Sequence, residues 1–236
     1  MFEFLANFFY ITLYQPLFNL LIFLYDYLSW NDFGIAIIFL TIIIRIILIP
    51  LSIKAVKSQK KLQELQPKIQ EIQKKNKGNK EQEAKEMLEI YKREKINPFS
   101  SIFLALVQLP ILIALYKVFW EGLNPEKLSV LYPMVANPVA INTFFLGIMD
   151  LSKPNIILAV IAGITQFFQA KMLMPNTSKK ESGAAADISQ MMQKQMVYFF
   201  PVLTVVMLLG LPSALGLYWT VGGLFTVAQQ KIFLKK

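Results

Sequence analysis

The run GIAIIFLTIIIRIILIPLSI, residues 34–53, ends against Lys54 and carries a single charge, Arg45. At a rise of about 1.5 Å per residue, a helix of this length spans about 30 Å, the thickness of a bilayer's hydrocarbon core. Such a stretch reads as a transmembrane helix. The whole 236-residue chain agrees: 55% of it is hydrophobic and 17% charged, and its mean hydropathy is +0.48. Soluble domains carry about a quarter charged residues, so the composition describes an all-α, multi-pass membrane protein. Cysteine and histidine are both absent. Disulfides, thiolate nucleophiles, Ser-His and Cys-His catalytic pairs, and metal or haem ligation through those side chains are thereby excluded. No cofactor or metal is expected, and the chain does not read as an enzyme.

Outward from that run, three further apolar stretches follow at 98–120, 155–173 and 197–230. A Leu211-Pro212-Ser213 break divides the last into 197–211 and 214–230. Five spans result. The formal net charge of +9 is unevenly spread, with thirteen of 24 Lys+Arg between Lys54 and Lys95. Lys-rich connections alternate with neutral ones, as the positive-inside rule requires. Residues 54–97, 174–196 and the tail 231–236 are therefore expected in the cytosol, and 1–33 and 121–154 outside. The first basic residue is Arg45, so the start does not read as a cleavable signal peptide. Residues 7–28 are apolar but interrupted by Gln15, Pro16, Asn19 and Asp26. An amphipathic helix lying in the outer interface, anchored by tyrosines and Trp30, fits them better than a sixth span.

The Lys-, Gln- and Glu-rich segment 54–97 has the composition of a disordered linker, yet it is periodic. Leu62, Leu65, Ile69 and Ile72 form one stripe at three- and four-residue steps, and Ala84, Met87, Leu88 and Tyr91 a second. Between them Asn76-Lys77-Gly78-Asn79 signals a turn. Two facing stripes describe an antiparallel helical hairpin, with Pro67 expected to loosen its first arm.

Arg45 lies near the middle of its span. A central arginine costs about 2.5–3.5 kcal/mol even on insertion scales, and no span interior holds an Asp or Glu to pair with it. The solution left is water, so Arg45 is expected to face a hydrated cavity reaching mid-membrane. Thr41, one turn earlier, shares its face. Gln108, Gln166, Gln169 and Thr220 beside Trp219 are further polar residues within spans that could line such a cavity. Singly, each also suits a bond between helices.

Several segments then fall into a familiar order. Gln15-Pro16-Leu17-Phe18 precedes Thr41-x-x-x-Arg45-x-x-x-x-Pro50-Leu51, and Leu65-Gln66-Pro67-Lys68-Ile69-Gln70 precedes Tyr91-Lys92 and Asn97-Pro98. Gln108-x-Pro110-x-x-x-Ala114-Leu115-Tyr116, Phe200-Pro201, Pro212-Ser213-x-Leu215-x-Leu217-Tyr218-Trp219 and Gln229-Gln230 complete the set. Across nearly the whole chain this closely resembles the YidC family of membrane protein insertases. The resemblance implies five core spans around a hydrophilic groove closed outward but open to cytosol and lipid. It also implies that Arg45 is the groove arginine, with Thr41, Gln108, Trp219 and one of Gln166 or Gln169 lining it. Nascent membrane proteins and membrane lipid are the implied partners, along with the Sec translocon, the ribosome and the signal-recognition-particle receptor. No nucleic-acid readout is expected, and the implied location is the bacterial plasma membrane. Unlike Gram-negative members the chain shows no large extracytoplasmic domain, and unlike many Gram-positive ones no acylated cysteine. Its basic tail is too short to suit ribosome tethering. A small transporter or anion channel, with Arg45 setting selectivity, is the rival reading, although no inverted repeat is evident.

Overall fold

The computed structural model describes residues 2–95, 97, 100–121, 130–138, 140–172 and 195–234. Most of the expected loop 174–196, part of 121–154, and the tail lysines Lys235 and Lys236 lie outside them. The described residues form helices, plus one two-stranded antiparallel ribbon pairing Phe144 with Asp150 and Phe145 with Met149. The helices are α1 (Phe2–Phe9), α2 (Gln15–Tyr27), α3 (Phe33–Lys75), α4 (Lys80–Arg93), α5 (Ser100–Glu121), α6 (Ile156–Met172), α7 (Phe200–Leu208) and α8 (Ser213–Leu234). A π-helical turn, Tyr10–Tyr14, joins α1 to α2, and another, Gln195–Phe199, leads into α7. By length and composition Glu3–Tyr27 and Phe33–Leu62 are long and apolar enough to cross a membrane. Leu106–Trp120, Ile156–Met172 and Val197–Leu208 are shorter apolar helices.

The first expected span and the first hairpin arm turn out to be one 43-residue helix, α3, which continues through Pro50 and Pro67. Nothing in Lys54-Ala55-Val56-Lys57 favours a break, so charge changes across Lys54 while backbone conformation does not. Asp32 begins the helix: its Oδ1 accepts from Ile35 N at 2.9 Å, satisfying one orphan N–H of the first turn. Its Oδ2 accepts from Leu146 N at 2.6 Å, fastening the ribbon to the same point. Trp30 and Asn31, both at positive φ, turn the chain from α2 into α3.

α3 and α4 pack through part of the two stripes, with Ala84 and Leu88 left exposed. Leu65 and Ile69 are buried, packed by Leu62, Met87, Ile90 and Tyr91, and Ile72 is buried in the next turn. Leu88 is instead 55% exposed. Met87 and Tyr91, four residues apart, face α3, and Ile90 joins them. Leu88 lies about 100° round the helix from Met87 and turns outward.

Along α3 and α5, packing is dense toward one end, whereas α8 stays buried along most of its length. In its first three turns α3 buries Phe33, Gly34, Ala36, Ile37, Leu40, Thr41 and Ile44; none from Arg45 to Lys54 is buried, and burial resumes at Ala55 and Val56. In α5 the buried positions are Ala114, Leu115, Val118 and Phe119, near its C-terminus. The apolar side chains among them, Ala55, Val56 and Ala114 apart, join Tyr14, Phe18, Leu21, Ile22 and Tyr25 of the N-terminal helix in one hydrophobic core. Segment 130–154 is stitched over the same end. Asn19 accepts from Tyr132 N and donates to Val130 O, the Tyr25 hydroxyl accepts from Asn142 N, and Ser213 N and Ala214 N donate to Lys153 O and Leu151 O. On the N-terminal helix Phe4, Leu5, Phe8, Ile11 and Phe23 are exposed, alongside Glu3, Asn7 and Thr12.

Candidate functional site

The dense packing stops at Arg45, about 18 Å along α3 from Phe33. The guanidinium lies across Gly222 of α8. A methyl group on that Cα would sit 2.9 Å from Nε and 3.0 Å from Cζ, and closer still to Nη2. Only a residue without Cβ leaves room for this seat. Among the described residues no carboxylate ion-pairs with Arg45, and its buried Nε has no hydrogen-bond partner. A guanidinium is a fixed fork of donors that stays charged at any physiological pH. What the position presents is a positive charge where the buried stretch of α3 ends.

Tyr218, one turn before Gly222 on α8, lies within electrostatic reach of Arg45. Its hydroxyl accepts from Gln108 Nε2 of α5 at 2.6 Å. Thus Tyr218 of α8 is bonded to α5 and lies near the arginine of α3. Further along α3, Ser52 Oγ accepts from Gln229 Nε2 at 2.7 Å, holding α3 and α8 together beyond the arginine.

The other anticipated residues take different places. Thr41 is fully buried and its hydroxyl donates to Ile37 O within its own helix, at 2.6 Å. It belongs to the buried stretch before Arg45. Thr220 sits on another face of α8. Gly216 meets Leu158 at 3.3 Å and Gly223 meets Thr165 Oγ1 at 2.9 Å for an added Cβ. Thr220 falls between those glycines, so helical geometry turns it toward α6. Its Oγ1 and Gln166 Oε1 are buried without a partner. Gln169 lies one turn beyond Thr165, and Trp219 is partly buried against the core. The arrangement therefore joins Gln108 to Tyr218 rather than to Arg45 itself, sets Thr41 in the buried stretch before Arg45, and assigns Thr220 to the α6–α8 seam.

Tyr218 and Gly222 escaped the sequence reading. The signal for Gly222 was available, because a Gly222-Gly223 pair in an apolar helix marks close approach by neighbours. Each glycine admits a different one.

The family model described as 60Kd inner membrane protein matches residues 23–236. A Membrane protein insertase YidC of Fusobacterium nucleatum is 34% identical over 206 residues, covering 87% of this chain and 88% of its own length. One from Clostridium tetani is 36% identical over 198 residues, 84% of this chain and 80% of its own. Another, from Buchnera aphidicola, is 34% identical over 223 residues, 94% of this chain and 37% of its own longer length.

Proposed function

The chain belongs to the 60Kd inner membrane protein family, whose matched bacterial relatives are membrane protein insertases, and from that premise we propose that it inserts nascent membrane proteins into the bacterial plasma membrane through a hydrated groove centred on Arg45. Five segments span the bilayer: 34–53, 98–120, 155–173, 197–211 and 214–230. Residues 54–97, 174–196 and 231–236 are cytosolic, and 121–154 lies outside. The N-terminal helix rests in the outer interface. In support, its polar and aromatic contacts fall at one end of the bundle: Phe9 with Lys117, Asn19 with residues 130 and 132, and Tyr25 with Asn142 and Phe33.

The single observation that carries the reading is Arg45, without an ion-pair partner among the described residues, at the level where packing gives way. Buried polar atoms are normally hydrogen-bonded, and an unpaired guanidinium in dry hydrocarbon is untenable. The unpartnered atoms of Arg45, Gln166, Thr220 and Gln230 thus suit a wet interior reached from the cytosolic side. A client's polar leading segment needs to cross only the outer half of the bilayer from there. Its carboxylates are drawn to Arg45 by about 1 kcal/mol at 4 Å in water, and about 4 at an effective dielectric near 20. The client's apolar helix leaves sideways into lipid past Ile46 and Ile47, both exposed. No covalent bond is made or broken.

Reconstitution into liposomes with an acidic-headed client tests this. Arg45→Lys retains most insertion, Arg45→Ala little, and Arg45→Glu least. Equal insertion by the Lys and Glu variants would show that charge sign is immaterial and overturn the electrostatic part of the mechanism.

A further inference from the structure

Where α3 leaves the apolar region, a cavity of about 560 Å³ lies between it and the segment joining α4 to α5. Lys54, Lys57 and Lys61 line it from α3, Lys95 from the opposite side, and Leu51 and Phe103 form its apolar part. The lysines of α3 recur at three- and four-residue steps, so they share one face. Lys95 is brought to them by a backbone at φ 52°, in the left-handed region non-glycine residues rarely occupy. The hydrogen bond from Ser58 Oγ to Asn97 O, 2.8 Å, ties the two walls together. Among the described residues none of these four lysines ion-pairs with a carboxylate, whereas Lys68 and Lys75 on the same hairpin are matched with Glu94 and Glu86.

We propose that this cavity is a binding site for the phosphate headgroup of an anionic phospholipid, with an acyl chain against Leu51 and Phe103. Four lysines lining one concavity match a phosphate, which lysine binds as a point charge. Basic pockets beside membrane helices on the cytosolic side recognise such headgroups. The apolar residues on the membrane side of the lysines favour a lipid over a free phosphate or an acidic peptide, neither of which brings a hydrocarbon tail. Positive residues at a membrane edge are general. A cavity they line, with no carboxylate ion-paired to them among the described residues, is not.

The proposal rests on the membrane topology above, so its test is made in detergent, where sidedness has no influence. Full-length protein is mixed with phosphatidylglycerol or phosphatidylcholine, and retained lipid is counted by native mass spectrometry. Wild type retains phosphatidylglycerol preferentially. Joint replacement of Lys54, Lys57, Lys61 and Lys95 by Gln reduces that preference about tenfold or more, as expected when several lysines act together near an anionic group. Joint replacement of Lys74, Lys77, Lys80 and Lys85 by Gln, an equal loss of charge, changes it little. All eight side chains are exposed, so both variants fold. Equal loss in the two variants, equal retention of both lipids by wild type, or displacement of the lipid by inorganic phosphate or an acidic peptide would overturn the assignment.

Discussion

Gly222→Ala separates the Arg45 seat from the stability of the fold. A Cβ there meets Nε at 2.9 Å and Cζ at 3.0 Å, against an ordinary non-bonded separation of about 3.5–4.0 Å. Nη2 is closer still, so the guanidinium must retreat by about 1 Å, and it can, because it ends a flexible side chain. Moving a charge from about 4 to about 5 Å from a client carboxylate weakens attraction by about 0.8 kcal/mol at a dielectric near 20. That is about a fourfold loss. Helix stability moves the other way, since alanine is favoured over glycine in a helix interior by about 0.5–1 kcal/mol. We expect insertion of an acidic-headed client by proteoliposomes to fall about two- to fivefold, with thermal stability unchanged or raised. Gly163→Ala supplies the contrast: its Cβ would meet Val205 Cγ2 at 2.5 Å and Pro201 O, a backbone atom, at 3.2 Å, so stability falls. In an Arg45→Ala background Gly222→Ala should have no further effect on insertion. A persistent effect there, or loss of stability from Gly222→Ala alone, would refute the reasoning.

Three further outcomes are expected. A single cysteine at Asn137 is labelled by an impermeant thiol reagent on intact cells and one at Lys77 is not; strong labelling at Lys77 would sink the topology. Leu65→Asp unfolds the hairpin, because Leu65 and Ile69 anchor its small core and each buried aliphatic side chain contributes about 1.5–3 kcal/mol; Leu88→Asp, at an exposed position, leaves amide exchange across 57–95 unchanged. Acid weakens the cap over the closed end: hydrogen bonds, first from the Ser152 hydroxyl, hold the Asp150 carboxyl down to about 2 from its ordinary 3.8. A depressed pKa contributes stability that is present above about 3.8 and lost as pH falls toward 2, at most about 2 kcal/mol and less after solvent screening. Thermal unfolding between pH 5 and 2 should lose this increment in wild type but not in Asp150→Asn.

What the sequence determined by itself was whatever depends on short-range patterning. Apolar run lengths against a fixed hydrocarbon thickness yielded the helices, lysine bias the expected orientation, and three- and four-residue stripes the hairpin. Arg45 was legible for the same reason, since a charge within an apolar run needs an explanation that its neighbours do not supply. The tertiary structure decided what depends on which helix faces meet. Leu88 and Met87 are adjacent, similar apolar residues, yet one is exposed and the other packed, because α4 presents only one face to α3. Thr220 and Gly222 are two residues apart on α8, yet one faces α6 and the other receives the arginine. The junction of hairpin and span was invisible because helix propensity does not change where charge does. The four lysines around the interfacial cavity read as topological signal alone until folding brought Lys95 across to the other three, since convergence in space is a property of the chain's path and not of spacing along it.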